Sequence, residues 1–237
     1  MRILSWNILA CEWIERKEYK GIDKKILFNR EKRFIKVCEI LKNLNAEIIL
    51  LQEVMSEEYE ILCCVFKDYI VSGLLQIDWG EKMKRNSGNV TLLKRDKFKN
   101  GVLNEYMDYS VITKSIYKGK KLSIYNIHLS DTSLKERYKE INRIRSLSLK
   151  DELSIIGGDF NHEYRMNSTL YKIEGYKVHN KKCYTYYLNR KMNIDNILSK
   201  GFKENKENIC VKYPETIEKG LKEYGSDHLP IIVELDI

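Results

Sequence analysis

A chain of 237 residues with 43% hydrophobic and 32% charged side chains can bury a sizeable core and reads as globular rather than disordered. No run approaches the roughly 18 apolar residues of a membrane span, and no signal-peptide pattern follows Met1, so an intracellular protein, cytoplasmic rather than nuclear and without membrane contact, is expected. The net charge of +8, from 42 Lys+Arg against 34 Asp+Glu, favours anionic partners such as nucleic acid or phosphates.

The first predicted strand is Ile3 to Trp6, a short apolar run closed by Asn7. After a long insert, Arg30 to Leu44 places Phe34, Val37, Cys38, Leu41 and Leu44 on one face and reads as an amphipathic helix. Ile48 to Leu51 is the next strand. Ser56, with Glu57 and Glu58 behind it, reads as a cap with an acidic first turn, opening a helix through Phe66. Strands follow at Val90 to Leu93, Ser110 to Thr113 and Leu122 to Ile127, with hairpin-like breaks at Lys97 to Asn104 and Lys118 to Lys120. Thr132 or Ser133 can cap a helix that ends near Leu149. Leu153 to Ile156, Ile194 to Leu198 and Pro230 to Leu235 are the remaining strands. Helices alternating with strands early, then a run of strands, disfavour a purely parallel sheet and predict an α+β protein with packed sheets and helices outside. Only two prolines occur, with no linker and no repeat, so one domain over 1–237 is expected, as a monomer. Six cysteines (Cys11, Cys38, Cys63, Cys64, Cys183, Cys210) lack C-x-x-C spacing; neither a zinc site nor a disulfide scaffold is expected, but mostly buried thiols.

A polar group closes or interrupts most of these strands. Asn7 follows the first, Glu53 the second in "LLQEV", and His128 follows Leu122 to Ile127 in "YNIHLS". Asp159 and Asn161 follow Leu153 to Ile156 in "IIGGDFNHEY", Asp195 lies inside "NIDNIL", and Asp227 and His228 precede Pro230 in "GSDHLPI". Singly, each has an ordinary explanation: Gly, Asp and Asn favour turns, Glu53 can serve a helix N-terminus, and His128 can be a satisfied buried imidazole. Asp195 is more demanding, because a carboxylate in an apolar strand is costly unless paired, and His228 is its natural partner. Together the set suits metal-assisted phosphodiester hydrolysis. Glu53 and Asp227 offer the hard oxygens that Mg²⁺ prefers. Asn7 and Asn161 can hold phosphate oxygens without adding negative charge, Asp159 can orient or deprotonate water, and Asp195 can bias His228 toward the cation. The basic stretches Lys82 to Arg85 and Lys118 to Lys121 are either solvated turns or contacts along a nucleic-acid backbone. Tyr184, Tyr186 and Tyr187 in "CYTYYLNRK" either pack in a strand or offer a base a ring to stack on.

In this order, "SWNILA", "LLQEV", "NIHL", "GGDFN", "NIDNIL" and "GSDHLP" resemble the motifs of the endonuclease/exonuclease/phosphatase superfamily, from residue 3 to the C-terminus. The resemblance implies a four-layer α/β sandwich of the DNase I type, two packed mixed β-sheets flanked by helices, with the site at one edge of both sheets. It implies an enzyme that needs Mg²⁺, with Mn²⁺ as a substitute. Glu53 would be the principal ligand, Asp227 would assist, and Asn7 would contact phosphate or a metal-bound water. His128 and Asn161 would bind phosphate, Asp159 would position the attacking water, and His228, paired with Asp195, would be the catalytic imidazole. "SWNILA" and "LFNREKRFIKVCEILKNLNAEIILLQEV", with Arg33, resemble the carbon-catabolite-repressor type deadenylases and related 2′,5′-phosphodiesterases, which implies an RNA 3′-exonuclease. "LSDTSLKERYKEI", "CYTYY" and "SDHLPIIVELDI" resemble the tyrosyl-DNA phosphodiesterase that cleaves 5′-phosphotyrosyl links, although its "WNIDG" is absent. A DNA-directed phosphodiesterase or repair nuclease is thus the alternative, and the expected partner is RNA or single-stranded DNA.

Overall fold

Strands written as near-continuous apolar runs must bury both faces, and the chain does so by stacking two sheets between helices. The computed structural model describes residues 1–14, 19–76, 86–98, 102–107, 110–188, 190–209 and 211–237. In the first sheet, β1 (Arg2–Asn7) pairs in parallel with β2 (Ile48–Met55) and antiparallel with β13 (Ile231–Asp236). It is completed by β12 (Lys203–Ile209) beyond β13, and by β5 (Ser87–Lys94) beside β2, which carries β3 (Tyr69–Val71) and β4 (Leu75–Gln76). The second sheet runs β10 (Lys177–Val178), β11 (Asp195–Lys200), β9 (Leu153–Asp159), β8 (Lys120–His128), β7 (Ser110–Tyr117) and β6 (Leu103–Met107). Only β8 and β9 run parallel there, with His128 opposite Asp159.

Alternation assigns each residue to a layer. Ile3, Leu50, Ile124, Ile155, Ile197 and Val233 pack between the sheets. Their neighbours Leu4, Ile49 and Leu51 face outward onto Phe34, Val37 and Leu41 of α2 (Arg30–Leu44) and Leu62 of α3 (Ser56–Val65). On the other side, Ile127, Ile156 and Leu198 meet Ile141 and Ile144 of α4 (Leu134–Ser148). The result is the expected sandwich of helix, sheet, sheet and helix. Two short helices come in addition: α1 (Lys24–Leu27) lies within the early insert, and α5 (Ile217–Tyr224) is capped by Thr216, whose hydroxyl accepts from Lys219 N.

Several boundaries differ from the sequence reading for identifiable reasons. Ser133 caps α4, accepting from Glu136 N at 3.2 Å. Ser56 is already inside α3; its hydroxyl donates to the Asn86 carbonyl, and the Glu58 carboxylate accepts the Met55 N–H instead. Strand β9 runs through both glycines to Asp159 rather than stopping at Ile156. A Cβ on Gly157 would lie 2.5 Å from Leu50 Cδ1, and one on Gly158, whose φ is 148°, would lie 1.9 Å from the Ile127 carbonyl oxygen. The glycines therefore permit close approach of sheets and strands instead of breaking the strand. The expectation of buried thiols fails for α3, where Cys63 and Cys64 stand on its exposed side; Cys38 is buried and Cys11 half-buried. Cys183 is disulfide-bonded, and Cys210 lies outside the described residues.

Candidate active site

The parallel pairs β1/β2 and β8/β9 end at the same edge of the sandwich, so their terminal polar residues converge. Asn7 ends β1, His128 ends β8, and Asp159 ends β9 opposite Asp195, the first residue of β11. Glu53 reaches the cluster by a different device. The β2–β5 ladder slips between Leu51 and Val54, and Glu53 has φ 61°, a conformation that costs a non-glycine residue about 1–3 kcal/mol. Beside this bulge lie the Leu51 and Val90 carbonyls, which belong to the last ladder pair before the slip. The fully buried Asn126 amide, on the opposite sheet, donates to both, at 3.1 and 2.9 Å, and accepts from Gln52 Nε2 at 2.8 Å. The bulge is thus locked by a bond between sheets.

At the edge itself the Asn7 amide donates to Glu53 Oε1 at 2.9 Å and to Asp159 Oδ2 at 3.1 Å, while its oxygen accepts from Leu9 N. Both amide hydrogens are thereby engaged, so Asn7 bridges the two carboxylates. Glu53 Oε2 accepts from Ala10 N at 2.8 Å. Asp227 Oδ2 accepts from the Tyr19 hydroxyl at 2.6 Å, and its other oxygen is buried with no hydrogen-bond partner among the described residues. His228 Nδ1 lies 2.8 Å from Asp195 Oδ2, as the sequence suggested. Its Nε2 faces Asp159 Oδ2 at 3.8 Å, and His128 Nε2 lies 3.8 Å from both Asp159 Oδ2 and Glu53 Oε1. Asn161, at φ 48°, donates its backbone N–H to Asp159 Oδ1 and its amide to the Leu129 carbonyl, both at 2.8 Å. All eight candidate residues therefore meet in one place.

Burial and repulsion dominate the electrostatics. Glu53 is pushed up to about 7 by burial and then by the charge of Asp227. Asp159 is pushed up to about 8 by burial and then by Asp195. For His228, burial opposes the cation; the charge and hydrogen bond of Asp195, with the fields of Asp227 and Asp159, outweigh it and hold the imidazole well above its ordinary range. A site with four buried carboxylates, with an oxygen of Asp195 and one of Asp227 unpaired among the described residues, fits a bound cation, which would relieve the repulsion. Asp159, Asp195 and His228 also bring one ligand atom each within 4.8 Å of one another. The 2.8 Å contact, however, is that of a hydrogen bond, and a protonated Nδ1 has no lone pair for a metal. Glu53 and Asp227 are the better donor pair.

Above the cluster opens a cleft of about 810 Å³, whose walls include Trp13, Tyr19, Arg137, Tyr186, Arg190 and Met192. Tyr186 stands against His228, with ring centroids 4.9 Å apart. Sequence reasoning missed Tyr19, which lies in the insert 208 positions from its partner Asp227. It also missed the supports of the 225–228 loop. Trp6 Nε1 donates to the His228 carbonyl, the Ser226 hydroxyl to the Asn7 carbonyl, and buried Arg33 to the carbonyls of Leu9 and Gly225. The Lys118 to Lys121 turn opens β8, whose far end is His128; at ~3.3 Å per residue it lies about 25 Å from the cluster and cannot line the cleft. Lys82 to Arg85 lies outside the described residues.

No family model matches the sequence, and no curated protein matches it either. The fold does have counterparts. D. rerio TDP2, in a structure complexed with a single-strand DNA product, superposes with a TM-score of 0.69 at 15% identity, covering 100% of this chain and 99% of that one. An endonuclease/exonuclease/phosphatase family protein from Leptotrichia buccalis gives 0.71 at 20% identity, with 100% of both chains covered. The mannosyl-6-phosphatase Bt3783 of Bacteroides thetaiotaomicron gives 0.69 at 18% identity, again over 100% of both. What is shared at such identities is architecture, and the chain has the DNase I-like fold of the endonuclease/exonuclease/phosphatase proteins.

Proposed function

We propose that this chain is a divalent-metal-dependent phosphodiesterase acting on nucleic acid. The observation that carries the reading is the convergence, at the floor of one cleft, of four buried carboxylates with two imidazoles, one of them held cationic by Asp195, itself one of the four. Glu53 and Asp227 would hold Mg²⁺, or Mn²⁺ in its place. The ion supplies Lewis-acid neutralisation of phosphoryl oxygens. Asp159, poised near neutrality, orients a water and takes its proton. The His228 imidazolium, steadied by Asp195, faces the developing phosphoryl charge, and His128 holds a second oxygen of the same phosphate. Asn7 keeps Glu53 and Asp159 in register, and Asn161 orders the rim beside Asp159.

Two substrates fit this site. The N-terminal motifs with Arg33 support an RNA 3′-exonuclease, as in the deadenylases. The likeness to TDP2, one structure of which holds a single-strand DNA product, supports a DNA-directed phosphodiesterase about as well. The sugar phosphatase on the same fold makes a phosphomonoester the control. The test is hydrolysis of labelled poly(A), a 5′-tyrosyl oligonucleotide, recessed duplex DNA and mannose 6-phosphate, each with Mg²⁺ or EDTA. Faster cleavage of poly(A) supports the first substrate and faster cleavage of the tyrosyl oligonucleotide the second. Full activity in excess EDTA, or turnover of the monoester alone, refutes the proposal.

A further inference from the structure

Beside the cleft, residues outside the catalytic cluster form a strip in which cations and rings alternate. The Arg165 guanidinium lies 4.2 Å over the Tyr184 ring and donates to its hydroxyl at 2.6 Å. Tyr184 meets Tyr213 edge-on, with centroids 6.1 Å apart and planes at 71°. Lys191 Nζ then sits 4.6 Å over the Tyr213 ring. Both ends adjoin the cleft wall: Arg165 precedes Met166, and Lys191 lies between Arg190 and Met192, all three of which line the cleft.

The charge on this strip is unbalanced. Arg165 and Lys191 are exposed, and among the described residues no carboxylate pairs with either side-chain charge; the Arg165 backbone N–H donates to Glu163 Oε1 at 3.2 Å, its guanidinium also donates to the Lys182 carbonyl, and Arg190 hydrogen-bonds to the sulfur of Met192. A cation resting on a ring in water is weakly held, so a phosphate can draw it away. Rings and guanidinium planes between such cations offer the faces on which bases stack. The three tyrosines of "CYTYY" also separate by role. Tyr187 is buried with its hydroxyl on the Ser226 carbonyl and supports Tyr213 from beneath. Tyr186 stands against His228, and Tyr184 belongs to the strip.

The geometry points to a subsite for an unstructured single strand, across Arg165 and Tyr184 and on to Tyr213 and Lys191, which carries the substrate beyond the cleft. This rests on the reading of the site as a nucleic-acid phosphodiesterase. RNA and DNA share the chemistry it recognises. A merely structural strip, tying the 162–167 turn to residues 182–188 and 190–192, would show no preference for strand length.

The test is fluorescence anisotropy in EDTA, with unstructured RNA and DNA oligonucleotides of about ten nucleotides, matching trinucleotides and a duplex of the same length, a span that suits known single-strand grooves. The full chain binds the long single strands more tightly than either the trinucleotides or the duplex, and the better of the RNA and DNA arms identifies the strand type. Tyr213→Ala weakens the long strand about tenfold and removes most of the length dependence, while Tyr213→Phe restores it. Lys191→Gln lowers the slope of log affinity against log salt by about 0.7 and carries the test should Tyr213→Ala not fold. Equal losses at both lengths, an unchanged salt slope, or equal affinity for the duplex overturns the subsite. Hydrolysis of bis(p-nitrophenyl) phosphate with Mg²⁺ is followed separately. A chain that cleaves it yet shows no length dependence refutes the subsite alone. A chain that cleaves no diester but binds long strands through Tyr213 refutes the catalytic reading alone.

Discussion

Replacing Asp195 with Asn keeps the shape of the buried pair and removes its charge. His228 Nδ1 lies 2.8 Å from Asp195 Oδ2, with the two side chains only 6% and 1% exposed. An Asn oxygen can accept the same hydrogen, so the loss is mainly Coulombic. Unit charges about 4 Å apart at an effective dielectric of about 20 interact by about 4 kcal/mol. Burial already opposes the imidazolium and Asp195 is the largest influence outweighing it, so the variant's His228 titrates lower than in the wild-type chain. The sign of the stability effect follows. A histidine whose folded pKa exceeds its unfolded value adds stability that is fully present below about pH 6.5 and is lost as pH rises through the folded value. The gap between the wild-type chain and Asp195→Asn is therefore widest below about pH 6.5 and narrows on the alkaline side. Metal-free NMR titration of the His228 ring, urea denaturation across pH, and kcat/KM on an oligonucleotide measure the three consequences. Rate losses of about 10² or more are expected, and His228→Ala with Asp195→Asn should be little worse than His228→Ala alone, as for groups that act as a unit. An unchanged His228 titration, a stability gap that grows with pH, or additive rate losses would refute the reasoning.

The remaining expectations concern the metal, the glycines and the basic turn. Glu53, raised from 4.5 to about 7, binds its proton more tightly when folded, so metal-free stability falls as pH rises between those values, by about 3 kcal/mol at most. Mg²⁺ should accordingly raise Tm more at about pH 8 than at about pH 5, where protons compete, and Glu53→Gln should remove most of the gain and weaken calorimetric Mg²⁺ binding; an equal gain at both pH values in both proteins would exclude Glu53 as a ligand. Gly158→Ala drives a Cβ to 1.9 Å from the Ile127 carbonyl and should cost about 3 kcal/mol or more by chemical denaturation; a cost under about 1 kcal/mol contradicts the close approach of β8 and β9. Changing Lys118, Lys120 and Lys121 to glutamine should leave KM for an oligonucleotide unchanged, because Lys118 pairs with Asp236 at 3.4 Å and the turn opens β8 at the end remote from His128; a raised KM would place substrate on that end.

The central strands were legible because a strand buried on both faces is written as an apolar run with little or no polar interruption, as in Ile48 to Leu51 and, broken only by Ser154, Leu153 to Ile156. Edge strands carry no such signal. β12, "KENKENI", pairs with β13 through its backbone at the rim of the first sheet, and its alternating charges say nothing of pairing. The same asymmetry governs the site. Asn7, His128 and Asp159 were readable because each lies next in sequence to the apolar run that positions it. Tyr19 was not, and Arg33 was marked by resemblance without its role, because they act through contacts with Asp227 and Gly225 that span 208 and 192 positions.

Glu53 shows why the last part of the site lay beyond local reading. "LLQEVM" has the composition of an ordinary strand, and a regular strand would set Gln52 and Glu53 on opposite faces, one between the sheets and one toward the helices. The left-handed turn at Glu53 re-aims its carboxylate along the strand axis toward Asn7, while Gln52 still faces inward to Asn126. Nothing within those six residues calls for the bulge. It is braced by Asn126, 73 positions later, which donates to the carbonyls of the last ladder pair before the slip, and by Ala10 and Asn7, which supply hydrogen bonds to the carboxylate once it has turned. Strain at one residue is thus held by amides on two other segments, residues 7–10 and β8. That distribution is expected where a charged group must stand at a fixed point in a cleft, and not where a strand need only fill a core.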